Sequence, residues 1–505
     1  MGQTEMEVLS SIALGLQTAL QIHNILYCLV GALLGTLIGI LPGLGPTATI
    51  AMLLPITFTL APDSALIMLA GIYYGAQYGG STTAILVNLP GEASSAVTAI
   101  DGYQMARKGR AGPALAIAAI GSFVAGTAAT LAIAISAPFL TALALKFGSA
   151  EYFSLIVFGL ICSIALAHGS ILKSLAMIVL GLLLGLVGTD VYTGAQRFTL
   201  GYLALFDGIN VVAVAIGVFG MSEILKNLES EHERSVTMTA IGRLMPSRED
   251  LKKSKWPIIR GTVLGTLLGV LPGGGALLSS FGSYAMEKKL SSSPQNFGNG
   301  AIEGVAGPEA ANNAGAQSSF LPMLTLGIPS NPVMALMIGA LILQGVQPGP
   351  NVMVERPELF WGVIASMWVG NVILVLLNLP LVGVWVRLLK VPYYALFPAI
   401  VAFSAIGIYT VNNSPFDLYI LTVFGLAGYL LIKLGCEPAP LLLGFVLGPM
   451  LEEHLRRAML LSDGDPMIFL SSPISCIFLA LSATMIVLSC LPTLGKKREE
   501  VFVEE

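Results

Sequence analysis

The chain has 505 residues, of which 55% are hydrophobic and only 11% charged, and its mean hydropathy is +0.83. A soluble domain is usually about a quarter charged, so a water-soluble globular fold is excluded. The net charge of −4 is small and sits in loops, which leaves no footprint for a nucleic-acid partner.

Apolar runs recur along the chain, and each is close to the ~20 residues that cross a ~30 Å hydrocarbon layer. Residues 8–22 read as a short apolar helix, either interfacial or a first span. Further runs cover residues 25–41, 115–135, 153–167, 172–187, 211–225, 359–379 and 474–491. The pattern predicts an all-α polytopic membrane protein with about 12 transmembrane segments. The N-terminus lacks the basic stretch of a cleaved signal peptide. The five cysteines are Cys28, Cys162, Cys436, Cys476 and Cys490. They are scattered, form no metal-ligand spacing, and read as small buried hydrophobes. His23 and His168 are lone and read as structural.

One phrase occurs twice. Gly35-Thr36-Leu37-Ile38-Gly39-Ile40-Leu41-Pro42-Gly43-Leu44-Gly45 returns as Gly265-Thr266-Leu267-Leu268-Gly269-Val270-Leu271-Pro272-Gly273-Gly274-Gly275. Each copy breaks an apolar run with Pro and Gly, and backbone freed at membrane depth must line a cavity or be buried in protein. Broken segments at matching places in two halves point to a transporter site between inverted repeats.

The repeat continues. Ala76-Gln77 matches Ala316-Gln317, and Asn88-Leu89-Pro90-Gly91 matches the segment Leu326-Gly327-Ile328-Pro329-Ser330-Asn331. Gly121-Ser122 with Gly126-Thr127 matches Ala365-Ser366 with Gly370-Asn371. The offset drifts, which predicts an insertion near residues 287–315 of the second half. The expected organisation is an apolar helix at 1–22, a first repeat at 23–226, a basic linker at 227–257, a second repeat at 258–470, a final helix at 471–492 and a charged tail at 493–505.

Residues 226–260 carry eight of the 25 basic residues, which places the linker in the cytoplasm. Arg107, Lys108 and Arg110 fall on the same side, whereas the matching loop at 347–357 has only Arg356. That asymmetry predicts inverted topology. Arg456 and Arg457 would then lie outside, against the rule's preference.

Helix N-termini can hold anions through unpaired N–H groups, and exposed carbonyls at re-entrant tips can coordinate Na+. The candidate substrate-binding residues are therefore Gly43, Gly45, Ser81, Thr82, Thr83, Asn88, Pro90, Gly91, Gly273, Thr325, Pro329, Ser330 and Asn331. Asn88, Glu309, Asn312, Asn313 and Asn331 are the candidates for cation coupling. For any one of these residues, capping or packing between helices is the competing role. Asp63 follows Pro62 and Asp101 precedes Gly102, both settings of caps and turns. No GxxxxGK[ST] loop, HExxH or GxSxG motif is present, so neither an enzyme nor a resident cofactor or metal is expected.

The segments 41–49, 73–112 and 303–350 and the late Leu461-Ser462-Asp463-Gly464-Asp465-Pro466 resemble the large membrane (permease) subunit of the tripartite tricarboxylate transporter family. The most specific stretches are Tyr73-Tyr74-Gly75-Ala76-Gln77-Tyr78-Gly79-Gly80-Ser81-Thr82 and Pro308-Glu309-Ala310-Ala311-Asn312-Asn313. The resemblance implies a multi-pass protein of the bacterial inner membrane that imports citrate or related carboxylates. It implies coupling to co-transported Na+ or H+. It also implies two partners, a small four-helix membrane subunit and a periplasmic substrate-binding protein. Elevator-type motion is expected by analogy with other hairpin-bearing carboxylate transporters. The alternatives are a passive channel and uptake of a non-citrate organic anion.

Overall fold

A computed structural model describes residues 2–41, 44–166, 170–229, 243–388 and 393–490. The predicted positions Gly43 and His168, residues 230–242 of the basic linker and the charged tail lie outside the described residues. The chain is helical almost throughout. Its sheet, among the described residues, is one antiparallel pairing of Gly188–Thr189 with Gln196–Arg197.

The first half runs through α1 (Gly2–Ala19), α2 (Ile22–Gly39), α3 (Pro46–Leu53), α4 (Pro62–Val87), α5 (Ala96–Met105), α6 (Ala111–Ala144), α7 (Ser149–Leu166) and α8 (Ile171–Gly185). A continuous helical stretch, α9, follows at Val211–Glu229. The second half has α10 (Arg248–Gly269), α11 (Gly275–Leu290), α12 (Glu303–Ser318), α13 (Phe320–Leu326), α14 (Pro332–Leu343) and α15 (Pro357–Leu388). It closes with α16 (Tyr393–Asn412), α17 (Pro415–Lys433), α18 (Pro438–Leu461) and α19 (Pro473–Cys490). The predicted helix over residues 8–22 ends earlier, at Ala19, and Ile22 opens α2.

Five helical stretches are long and apolar enough to cross a membrane: Ile22–Gly39, Ala93–Ala144, Val211–Glu229, Pro357–Trp385 and Pro415–Lys433. Large apolar side chains such as Leu172, Phe139, Phe403 and Leu376 lie exposed on these and neighbouring helices, as a lipid-facing surface requires. This is an all-α membrane protein that passes through the bilayer several times.

Small residues let two pairs of helices meet backbone to backbone. On α2, Gly31, Gly35 and Gly39 face the carbonyls of Met68, Ile72 and Ala76 on α4. On α10, Gly261, Gly265 and Gly269 face the carbonyls of Gly307, Ala311 and Gly315 on α12. A Cβ at any of the six would sit 2.2 to 2.4 Å from the facing oxygen, far inside van der Waals contact. The residue numbers rise together in both pairs, so each pair is parallel, and the chain between its members runs back. In the first half that return is α3 and a short turn at Leu54–Thr59. In the second it is the longer α11 and the loop up to Glu303, which accounts for the predicted insertion.

This packing corrects one detail of the sequence register. The facing residues fix Ala76 opposite Gly39 and Gly315 opposite Gly269. Ala76 therefore corresponds to Gly315, one residue away from the match with Ala316.

The halves also meet each other. Along the line where α4 faces α12 and α13, numbers rise on one side and fall on the other. Tyr73 and Tyr74 lie against Phe320, with ring centroids 6.2 and 5.8 Å apart, whereas Gln77 reaches Asn312. The two elements are antiparallel. The long helices α6 and α15 meet where Asn371 Nδ2 donates to the Phe123 carbonyl at 2.8 Å and to Thr127 Oγ1 at 3.0 Å. Thr127 and Asn371 are the residues matched between the halves by sequence.

Arg110 pairs with Asp250, so the basic loop at 107–110 lies against the later end of the linker, while Lys433 pairs with Glu229 at its earlier end at 2.7 Å. On another surface Arg456 pairs with Asp190 at 2.9 Å and with Glu452 at 2.7 Å.

Candidate transport site

The site is assembled where α4 crosses α12. Residues 64–86 of α4 are all buried, so a polar side chain there must find a partner inside the protein. Tyr73, Gln77 and Ser81 recur every four residues and form one stripe on this helix. On α12, Glu309 and Asn313 share a face, and Asn312 stands beside them. Glu309 is 1% exposed and Asn312 0%.

Around Glu309 the donors are neutral. Thr98 Oγ1 on α5 donates to Oε1 at 2.5 Å, and Ser122 Oγ on α6 donates to Oε2 at 3.4 Å. The Ser81 hydroxyl is within hydrogen-bond reach of the same carboxylate. Asn313 Nδ2 donates to Ser122 Oγ at 2.7 Å and to the Glu309 carbonyl at 3.0 Å. A second branch starts at Asn312, whose Nδ2 donates to Glu92 Oε1 at 3.1 Å. Its Oδ1 accepts from Gln77 Nε2 at 3.3 Å. Four buried polar atoms at this crossing have no hydrogen-bond partner: Gln77 Oε1, Gln317 Oε1 and the hydroxyls of Tyr74 and Tyr78.

Two tips flank the layer. The first ends α4 with Asn88 in the left-handed region, φ 57° and ψ 32°. Pro90 and Gly91 follow, and Glu92 in extended backbone caps the next turn. Gly91 is required by close approach: a Cβ there would lie 2.5 Å from the Gly39 carbonyl and 2.5 Å from Gly80 Cα. Gly45 sits beside this tip, 3.5 Å from the Gly91 carbonyl measured from where its Cβ would be.

The second tip has the same sequence of conformations. Gly327 is left-handed at φ 70°, Pro329 follows, and Asn331 in extended backbone caps α14, its Oδ1 accepting from the Met334 N–H at 2.9 Å. Gly273 donates its N–H to the Ser330 carbonyl at 2.7 Å, which ties the second broken phrase to its tip. Ser330 Oγ donates to the Ser319 carbonyl at 3.2 Å.

The structure thus brings Ser81, Glu309, Asn312 and Asn313 into one network. It places Gly45, Asn88, Pro90 and Gly91 at the first tip, and Gly273, Pro329, Ser330 and Asn331 at the second. Asn88 is exposed and ends a helix, and Asn331 Oδ1 is engaged as a cap. Thr82, Thr83 and Thr325 turn their hydroxyls back onto carbonyls of their own helices. Asp101 accepts from the Gly300 and Ala301 N–H groups at 2.7 and 2.8 Å and from Tyr284, a capping role of the kind its sequence context suggests.

Sequence reasoning did not select Gln77, Glu92, Thr98 and Ser122 as site residues. The four-residue spacing from Tyr73 to Ser81 would have found Gln77. Aligning the left-handed residues, Asn88 with Gly327, would have paired Glu92 with Asn331.

Beside the tips a cavity of about 500 Å³ opens between Thr47 of α3, Pro332 of α14, and Ser222 and Lys226 of α9. It reaches the start of one broken helix from each half.

Layered helices with duplicated breaks and a buried neutral-donor network around carboxylates define a membrane transport protein. Residues 25–443 match the model of the tripartite tricarboxylate transporter TctA family, and the chain belongs to that family. It is 64% identical over 500 residues to an uncharacterised 52.8 kDa protein of Agrobacterium vitis from the TAR-I ttuC' 3' region, covering 99% of this chain and all of that one. A second uncharacterised A. vitis protein, from the TAR-II ttuC' 3' region, is 62% identical over 241 residues, which is 48% of this chain and all of the other. No solved structure matches the chain.

Proposed function

We propose that this chain is the permease subunit of a binding-protein-dependent secondary transporter that imports citrate or related di- and tricarboxylates across the bacterial inner membrane. Its working partners are a small four-helix membrane subunit and a periplasmic substrate-binding protein. A Na+ or H+ gradient drives it. Residues 23–226 and 258–470 act as two inverted repeats of about 12 crossings in all, and the tip-bearing core moves against the flanking helices as an elevator.

The observation that carries this reading is the polar layer at the α4–α12 crossing, flanked by one Pro-containing tip from each half. The antiparallel run of α4 against α12, the parallel glycine-laddered pairs and the meeting of Thr127 with Asn371 support the inverted repeat. A small tricarboxylate fits the adjacent cavity, since ligand pockets commonly run from about 300 to 1,000 Å³. The N-termini of α3 and α14 open onto the cavity and favour an anion, while Lys226 at its wall is paired with Glu223.

Reconstitution with both partners in proteoliposomes tests the reading. Uptake of labelled citrate should exceed equilibrium and collapse when an ionophore dissipates the driving gradient. Uptake that only equilibrates would establish a passive channel instead. Saturable uptake of another organic acid, with citrate excluded, would keep the transporter and change its cargo.

A further inference from the structure

We propose that the first tip holds the coupling cation, a single dehydrated Na+ bound by Glu92 and Gln77, with Asn312 holding the two side chains in place. This inference rests on the transport reading and assigns the ion a place within it.

Gln77 is 1% exposed. Its Nε2 is spent on Asn312 Oδ1, and its Oε1 has no partner. A buried amide oxygen is rarely left in that state, so the site is short of one donor or cation. Glu92 supplies the matching negative charge. Its side chain lies along the same face of α4, with Cγ 3.4 Å from where a Cβ on Gly80 would be, one turn from Gln77. Asn312 joins the two, its Nδ2 on Glu92 and its Oδ1 facing Gln77. Among the described residues, no Lys, Arg or His forms an ion pair with Glu92 or Glu309. Carboxylate and amide oxygens are the ligands that hard cations take. Behind this cluster, Glu309 adds a second carboxyl held by hydroxyl donors. Glu92 is half-buried and stands at the tip, so an ion can reach it from the wet side.

The two tips make the assignment specific. Glu92 and Asn331 occupy equivalent capping positions, but the second tip has a neutral amide whose oxygen is engaged with Met334. Only the first tip places a carboxylate where a substrate anion would approach. Left ionised and bare, Glu92 repels that anion. With Na+ bound, the tip turns from repulsive to neutral. The anion then binds only to the cation-loaded protein, which is what coupling demands.

Binding of 22Na+ to the purified full-length protein at neutral pH, without substrate, tests this. The wild type should bind saturably. Glu92→Gln and Gln77→Leu should each weaken binding by about ten- to a hundredfold, and Glu92→Asp should retain part of it. Glu453→Gln, which breaks an exposed pair with Arg457, should bind as the wild type does, and a monodisperse elution profile guards against misfolding. Equal binding in Glu92→Gln and the wild type would overturn the site. No saturable Na+ binding, with uptake that follows a pH gradient, would also overturn it while the transport reading stood. Saturable Na+ binding through Glu92, with no carboxylate moved by the reconstituted complex, would instead refute transport and leave the site in place.

Discussion

The α2–α4 pair and the α10–α12 pair share one packing scheme and differ in what they carry. Both use three glycines at four-residue spacing, and both press them onto carbonyls one turn apart. The positions that face the polar layer have diverged. With Gly35 and Gly265 in register, Ala70, Tyr73 and Tyr74 of α4 correspond to Glu309, Asn312 and Asn313 of α12. Geometry has been kept in duplicate, whereas at these three positions the ionisable and amide groups sit in one copy. A symmetric scaffold thus holds an asymmetric site, and the substrate and its co-ion need not share equivalent places.

The shared packing can be broken first. Gly35→Ala and Gly265→Ala each place a methyl 2.2 or 2.3 Å from a facing carbonyl oxygen. Backbone cannot give way as a flexible side chain would, so each substitution should cost about 3 kcal/mol or more. Loss of the monodisperse peak in detergent, or a large fall in thermal midpoint, is the expected outcome for both. If Gly265→Ala behaved as the wild type while Gly35→Ala did not, the two pairs would not be equivalent.

The asymmetry comes next. Glu309→Gln keeps the shape and most hydrogen bonds but removes a carboxylate for which α4 has Ala70 at the matching position. Uptake should fall by about tenfold or more, with little change in thermal stability. Full activity in that variant would remove Glu309 from the coupling machinery and return it to a packing role.

Asn313→Ala is a milder probe. Asn313 touches Ser122 and its own helix rather than a carboxylate directly. The cation concentration for half-maximal uptake should rise by about 3-fold, on the order of one lost hydrogen bond, with insertion into the membrane unaffected. A changed maximal rate with unchanged cation dependence would place Asn313 in the moving parts instead.

Much of the scaffold was legible because the repeated phrase is long and its Pro and Gly positions have a single physical meaning at membrane depth. The tips at 88–91 and 328–331 were found for the same reason. Helix lengths were less legible. α6 continues to Ala144 through Pro138 and α15 to Leu388 through Pro380, since neighbouring helices sustain what local propensity would end. The site was half legible. Glu309, Asn312 and Asn313 stand out as polar residues in an apolar context. Gln77, Thr98 and Ser122 come together only through contacts nearly 200 or more residues apart, such as Thr98 with Glu309, and small hydroxyl residues are too common in membrane helices to single out in advance.

The smallest expected effect lies outside the membrane, in the hairpin that the first half lays against α18. Asp190 there accepts from the Tyr192 N–H at 2.8 Å and pairs with Arg456. The Tyr192 N–H, and then the Arg456 guanidinium, hold its carboxyl below the usual value of 3.8, against the opposing effect of burial. A depressed carboxylate stabilises the fold above its ordinary pKa, and that contribution disappears as pH falls through the folded-state value. Asp190→Asn should therefore lower the thermal midpoint by at most a few degrees at neutral pH. The gap between variant and wild type should close as the pH drops below 3.8. A gap that persisted well below that pH, where the carboxyl is protonated in the folded protein as well, would mean that the charge of Asp190 is not what the substitution removes. The Arg456 pair would then be incidental to how the hairpin is held.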